Sequence, residues 1–322
     1  MAALKEGVGA VGRPAALNPQ FVAVAVMVAF FLVAPFFIYP VFLMNVLCFA
    51  LFASAFNLLV GYVGLLSFGH AAFLGMAGYI CGHTAKVWGW PPELAIVAGT
   101  AFSAALGLVI GALAIRRQGI YFAMITLALA QMVFFFCVQA EFTGGEDGIQ
   151  AVPRGTLLGL FDLGDTMTMY FVVLVIFLAG FALIYRTIHS PFGQVLKAIR
   201  ENEPRAISLG YKVDHYKLIA FVLSAALSGL AGATKTIVFQ LASLTDVHWS
   251  MSGEVVLMTL LGGLGTVFGP ALGAFVIVAM QHFLAELGSW VQVAQGAIFV
   301  VCVLAFRRGV VGEIARVLRA PL

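Results

Sequence analysis

The feature that most constrains this chain is a succession of apolar runs, most about twenty residues long, from Phe21 to Phe306 with only short polar breaks. A helix rises about 1.5 Å per residue, so about 20 residues cross the roughly 30 Å of hydrocarbon in a bilayer. The runs span Phe21 to Tyr39, Val41 to Val60, Gly61 to Ile80, Leu94 to Ile115, Ile120 to Ala140, Tyr170 to Tyr185, Leu218 to Gln240, Gly253 to Val267, Ala271 to Leu287 and Val291 to Phe306. They predict an all-α polytopic membrane bundle of about ten transmembrane helices, in which Gly253 to Val267 is short enough to be re-entrant or broken. At 62% hydrophobic and 10% charged residues, with a mean hydropathy of +1.07, the 322 residues leave no sizeable soluble domain. A receptor with a large ectodomain, a cytosolic enzyme and a nucleic-acid binder are excluded together.

Charge sets the predicted orientation, because basic residues accumulate on the cytoplasmic side. Arg116 and Arg117 occupy one tight turn, and the loop 187–217 carries Lys197, Arg200, Arg205, Lys212 and Lys217. The loop 141–167 carries Glu141, Glu146, Asp147, Asp162 and Asp165 against Arg154 alone, which places it outside. Ten crossings put 14 of the 17 Lys and Arg residues inside, leave Lys86 and Arg154 outside, and strand only Lys235, which snorkels from the outer end of its span. The predicted organisation is a cytoplasmic tail over 1–20, a transmembrane domain over 21–306 and a cytoplasmic tail over 307–322, multi-pass in a bacterial inner membrane with both termini cytoplasmic.

The loop 187–217 holds more pattern than a plain bundle requires. Ser190-Pro191 reads as a helix start, Phe192, Val195, Leu196 and Ile199 recur at helical spacing, and Asn202 to Gly210 contains a second capped turn with Pro204 near its start. Such an amphipathic pair either rests on anionic lipid or docks a cytosolic partner. Gly61, Gly64, Gly69, Gly75 and Gly78 let helix backbones approach closely. Asn57 and His70, polar at membrane depth, either satisfy structural hydrogen bonds or contact a substrate. Phe268-Gly269-Pro270-Ala271 follows Phe68-Gly69-His70-Ala71 by 200 positions, three identities in four, as a repeat trace or a coincidence.

Thr143-Gly144-Gly145-Glu146-Asp147 predicts a tight exposed turn able to meet a basic partner surface; its oxygen spacing does not fit an EF-hand, and no metal site is expected. There is no GxxxxGK[ST], so the chain does not cradle nucleotide phosphates, and no HExxH or GxSxG, so it is not expected to be an enzyme. Glu254 and Glu286 lie near predicted span ends, which disfavours ion coupling through a mid-membrane acid. Cys48, Cys81, Cys137 and Cys302 stand alone in apolar runs and carry no redox message.

Three strings then agree with one family. Asn57 to Tyr79 (NLLVGYVGLLSFGHAAFLGMAGY), Phe142 to Ile149 (FTGGEDGI) and Ser190 to Ala233 resemble the LivM-type permease of branched-chain amino acid ABC importers, as do the C-terminal LLGGLGTVFGPALGA and AFRRGVVG strings. The resemblance covers most of the chain from Asn57 onward. It implies a half-channel that pairs with a second, LivH-like permease, receives substrate from a periplasmic substrate-binding protein, and is driven by two cytosolic ABC ATPase subunits that use ATP and Mg; no cofactor is bound by this chain. It places a coupling helix against the ATPase, with Lys197, Arg200, Glu203, Arg205, Ala206 and Gly210 as its residues. The family loop signature runs Glu-Ala-Ala, three residues, then Gly, whereas here Pro204 and Arg205 separate Glu203 from Ala206, and Glu203 lies seven positions before Gly210. Asn57, Ser67, His70 and Gln131 are the expected path residues, and Thr143, Gly144, Gly145, Glu146 and Asp147 the binding-protein side. Importers of urea, amides or other amino acids have closely similar permeases, and a stand-alone secondary carrier is the rival of another class.

Overall fold

The structure, a computed structural model, describes residues 19–157, 159, 161–284, 288, 290–305 and 309–318. Residues 1–18 of the expected tail over 1–20, the Arg307-Arg308 pair and Glu286 lie outside them. Among the described residues the chain folds into α1 (Pro19–Val33), α2 (Pro40–Tyr62), α3 (His70–Lys86), α4 (Pro92–Ala114), α5 (Ile120–Gln139), α6 (Thr166–His189), α7 (Pro191–Glu201), α8 (Glu203–Ser208), α9 (Val213–Phe239), α10 (Trp249–Gly262), α11 (Gly269–Phe283), α12 (Val291–Ala305) and α13 (Gly309–Leu318). Five of these, α2, α4, α5, α6 and α9, are long and apolar enough to cross a membrane. Prolines open α2 and α4 at positions whose N–H has no helical partner, and Asp165 opens α6 by accepting from Thr168 N.

The end of the bundle carrying Arg116, Arg117 and α7–α8 is here the basic end, and the end carrying 141–165 the acidic end. At the acidic end two short antiparallel ladders form. Strand β1 (Ile149–Gln150) pairs with β4 (Leu241–Ala242), Ile149 opposite Ala242, and β2 (Thr156–Leu157) pairs with β3 (Phe161–Asp162). Lys86 Nζ donates to Gln150 O at 2.8 Å and Arg154 Nη2 to Val238 O at 2.7 Å, so the two cations expected outside cap carbonyls there.

Helices α2 and α9 form the centre. Helix α2 is almost wholly buried between α6, α9 and α11, and α9 packs against α2, α3 and α4. Small residues set the α3–α4–α9 spacing: a Cβ on Gly232 of α9 would stand 1.9 Å from the Leu74 carbonyl oxygen of α3. In a medium without a hydrophobic force between helices, this close backbone approach carries the packing.

The structure corrects one expectation and details two other segments. The run Gly61 to Ile80 is not one span, because α2 continues to Tyr62 and α3 begins only at His70. Gly64, at φ +82°, turns the chain out of the helix, and the N–H groups of Val63, Gly64 and Leu65 all converge on Leu59 O. The run Gly253 to Val267 is helical only to Gly262, where a turn over 263–268 leads into α11. At 14 and 15 residues, α10 and α11 rise only about 21 and 22 Å. In the segment 309–318 Val311 is buried, and the Gly309 backbone presses on Gly263, where a Cβ would come within 2.4 Å of the Gly263 Cα.

Gly232→Ala forces the α3 and α9 backbones apart and is expected to destabilise the bundle by about 1–3 kcal/mol, seen as a lower melting temperature in detergent. Gly253→Ala, whose Cβ would meet nothing within 4 Å, is the control and should melt with the wild type.

Candidate functional site

At the basic end, α7 and α8 form the amphipathic pair. Ser190 Oγ accepts from Gly193 N and Pro191 occupies the first turn; Asn202 Oδ1 accepts from Arg205 N and opens α8. Leu196 and Ile199 face inward, Ala206 packs with Ile199 and Val213, and Phe192 stacks on Tyr216 at 5.6 Å.

Polar contacts then lock the inner side of the pair to the bundle. Glu203 Oε1 accepts from Lys217 Nζ at 2.6 Å and from Gln118 Nε2 at 2.8 Å, joining α8 to the base of α9 and to the α4–α5 turn. Lys197 lies over the Tyr62 ring at 5.8 Å. Arg200 Nη1 donates to Gly61 O, its stem crosses Gly64, and its guanidinium reaches Gly265, so one side chain touches both interruptions, 63–69 and 263–268. Of the residues expected at the coupling surface, Lys197, Arg200, Glu203 and Ala206 are thus engaged within the chain, and Arg205 and Gly210 stand on the exposed side. Gly210 has φ +89° and open space around it. Beside them stand three apolar side chains that the sequence reading missed: Ile207 is 56% exposed, Leu209 69% and Tyr211 40%. A six-residue helix is too short for periodicity to separate its inner side from its outer one.

Three of the four expected path residues, Asn57, Ser67 and His70, are drawn into hydrogen bonds within the chain. Asn57 Nδ2 donates to Thr266 O at 2.8 Å and Asn57 Oδ1 accepts from Gly265 N at 3.0 Å, fastening the 263–268 turn to α2. Ser67 Oγ accepts from Gly69 N at 3.2 Å. His70, fully buried, meets Ser224 Oγ at 2.9 Å through Nε2, and Ser224 donates to Ala55 O at 2.6 Å. Since the hydroxyl has one proton, His70 Nε2 is the donor in that contact. The rings of Phe56, Phe73 and Phe221 surround the imidazole. Gln131 is half-buried on α5.

At the acidic end Thr143 is buried, its hydroxyl directed at Cys137 O and Ala140 O, each at 2.6 Å. Gly144 and Gly145 follow with positive φ, and Glu146 and Asp147 are presented outward.

This is a polytopic helical membrane permease, with an amphipathic two-helix segment fixed to interrupted spans at one end and a displayed acidic loop at the other. Residues 39–305 match the family model described as the permease component of the branched-chain amino acid transport system, and the chain belongs to that family. It is 27% identical over 271 residues to the high-affinity branched-chain amino acid transport system permease protein LivM of Salmonella typhimurium and 26% identical to that of Escherichia coli. Each match covers 77% of this chain and 64% of the relative, so the chain spans just under two thirds of their length. The ribose import permease protein RbsC of Bacillus subtilis is 31% identical over 196 residues, 56% of this chain and 58% of that one. No solved structure matches the chain.

Lys217 is 3% exposed at its side chain, so Glu203→Gln strands a buried ammonium and should destabilise the protein by about 3 kcal/mol. The double variant Glu203→Gln, Lys217→Met removes the stranded charge and should recover most of that loss in a detergent melt. Equal melting of wild type, single and double variants would show the pair to be without structural weight.

Proposed function

We propose that this chain is the membrane-spanning subunit of an ATP-driven, binding-protein-dependent importer of branched-chain or related hydrophobic amino acids. It pairs with a second, LivH-like permease, takes substrate from a periplasmic binding protein, and is driven by two cytosolic ATPase subunits, which bind the ATP and Mg. The observation that carries this reading is the α7–α8 segment: its inner side is tied to α2, α9 and the α4–α5 turn, while Arg205, Ile207, Leu209 and Tyr211 face outward. Apolar side chains on an exposed turn, rimmed by charge, suit a protein groove better than water. The basic end then faces the cytoplasm of an inner membrane, with both termini on that side, and the acidic loop with Glu146 and Asp147 meets the binding protein.

Closure of the ATPases on ATP moves α8; Arg200 and Glu203 pass the displacement to α2, α9 and both interruptions, and the spans tilt between outward and inward access. No side chain performs covalent chemistry. A second substrate reading, a sugar, is favoured by the likeness to RbsC, named for ribose import.

Co-expression with the neighbouring permease and ATPases, purification in mild detergent and ATPase assay with loaded binding proteins tests the whole reading. A complex stimulated by a leucine-loaded binding protein is expected; a lone chain moving substrate in ATP-free vesicles would establish the stand-alone carrier instead. Leu209→Asp should release the ATPases and cut uptake by at least about tenfold, the loss of roughly 1.4 kcal/mol of contact, with the second permease still bound. Arg205→Ala and Gly210→Val should retain assembly but uncouple hydrolysis from uptake. Gly210→Cys should react with an impermeant thiol reagent from the cytoplasmic side only, and Gly159→Cys from the opposite side only.

A further inference from the structure

Near the acidic end, a cavity of about 450 Å³ opens between α2, α9, α10 and the loop after β4. That volume falls within the roughly 300–1,000 Å³ of small-molecule sites. Its charged groups, Lys235, Asp246 and Glu254, come from α9, the turn after β4 and α10, Asn45 and Gln281 join them from α2 and α11, and none takes part in the contacts described above. Lys235 Nζ pairs with Asp246 Oδ1, and Glu254 Oε2 accepts from Gln281 Nε2 at 3.0 Å. Asn45 Oδ1 is buried with no hydrogen-bond partner among the described residues. The rest of the wall is Phe49, whose ring lies 5.1 Å from Lys235 Nζ, Phe239, Leu241 and Met251, with the hydroxyls of Ser243 and Thr245 at its edge. Lys235 therefore does not snorkel away to water, as its position in the sequence predicts, but turns into this cavity.

Such a composition is costly for a wall that serves only packing. Two carboxylates against one ammonium leave one formal negative charge beside a low-dielectric surface, which favours a ligand bringing its own cationic group. An aliphatic α-amino acid brings an ammonium, a carboxylate and an apolar side chain on one carbon. We infer that this cavity is a transit site for the zwitterion of an aliphatic amino acid. Glu254, Asp246 and the Asn45 carbonyl oxygen receive its ammonium, Lys235 holds its carboxylate, and Phe49, Phe239 and Met251 line its side chain. A second cavity of about 340 Å³ shares Asn45, Phe239 and Gln281 with the first and continues past Phe42 and Val278, giving the apolar end room along α2 and α11.

The inference rests on the proposed import of amino acids, and the test separates the two. A photoactivatable diazirine analogue of leucine is added to the wild-type complex in vesicles, and labelled peptides are mapped with and without competitors. Labelling of the 235–254 segment is expected, blocked by leucine but at least tenfold less well by 4-methylpentanoate, which lacks the ammonium, or by 3-methylbutylamine, which lacks the carboxylate. Glu254→Gln, and separately the double variant Lys235→Met, Asp246→Leu that leaves no stranded charge, should each lower leucine uptake by at least tenfold in complexes that assemble normally. Leucine uptake by the wild type with labelling confined to other segments, or unchanged uptake in both variants, overturns the site while leaving the importer intact. A wild-type complex that takes up ribose and no amino acid overturns the proposed substrate class and the zwitterion site with it.

Discussion

Inside a bilayer a helix cannot simply stop, because the N–H groups it leaves open find no water. The fold depends on how this chain meets that constraint at its two interruptions. Around 63–71, Phe68 N is taken by Thr126 Oγ1, Gly69 N by Ser67 Oγ and Ala71 N by Ser252 Oγ. Around 263–269, Gly265 N goes to Asn57 Oδ1 and Gly269 N to Thr266 Oγ1. Each donor has a hydroxyl or amide from a nearby turn or a neighbouring helix, and Arg200 supplies the reverse service for the Gly61 carbonyl. These side chains are few in so apolar a chain, and their placement decides where spans end.

The similar strings FGHA and FGPA acquire a common meaning in this light. Both stand where an interrupted span restarts, α3 immediately after Gly69 and α11 at Gly269, and each restart is held by hydroxyls. The glycine admits close backbone approach at the break, and the following His70 or Pro270 occupies a first helical turn. Shared local physics is sufficient to account for the likeness, since a break at membrane depth selects small, turn-forming residues wherever it falls.

Most of the span pattern was legible because hydropathy measures what a bilayer selects. Nine of the ten apolar runs lie close to a helix, and Ser190-Pro191 and Asn202 mark the starts of α7 and α8 by capping chemistry that acts over three residues. The interruption at 63–69 was not legible, since a glycine-rich string is equally apolar as helix or as turn, and only Thr126 and Ser252, far along the chain, distinguish them. The pairing of Lys235 with Asp246 and of Glu254 with Gln281 needs the fold of α9, α10 and α11 to bring those groups to one wall. At the basic end the spacing of Glu203 departs from the family signature, and in the structure its carboxylate accepts from Lys217 and Gln118. Polar residues at depth marked Asn57 and His70 as important without telling a hydrogen-bonding strut from a path lining.

The His70–Ser224 contact also bears on how the protein is made. The two residues are 154 positions apart, and Gly232, which fits against Leu74, comes later still. At roughly 5–20 residues per second, a ribosome needs about 8–30 s to travel from one to the other. Over that interval the imidazole exists while its hydroxyl partner has not yet been synthesised. The final seat of helix α3 is therefore fixed only once α9 has been made.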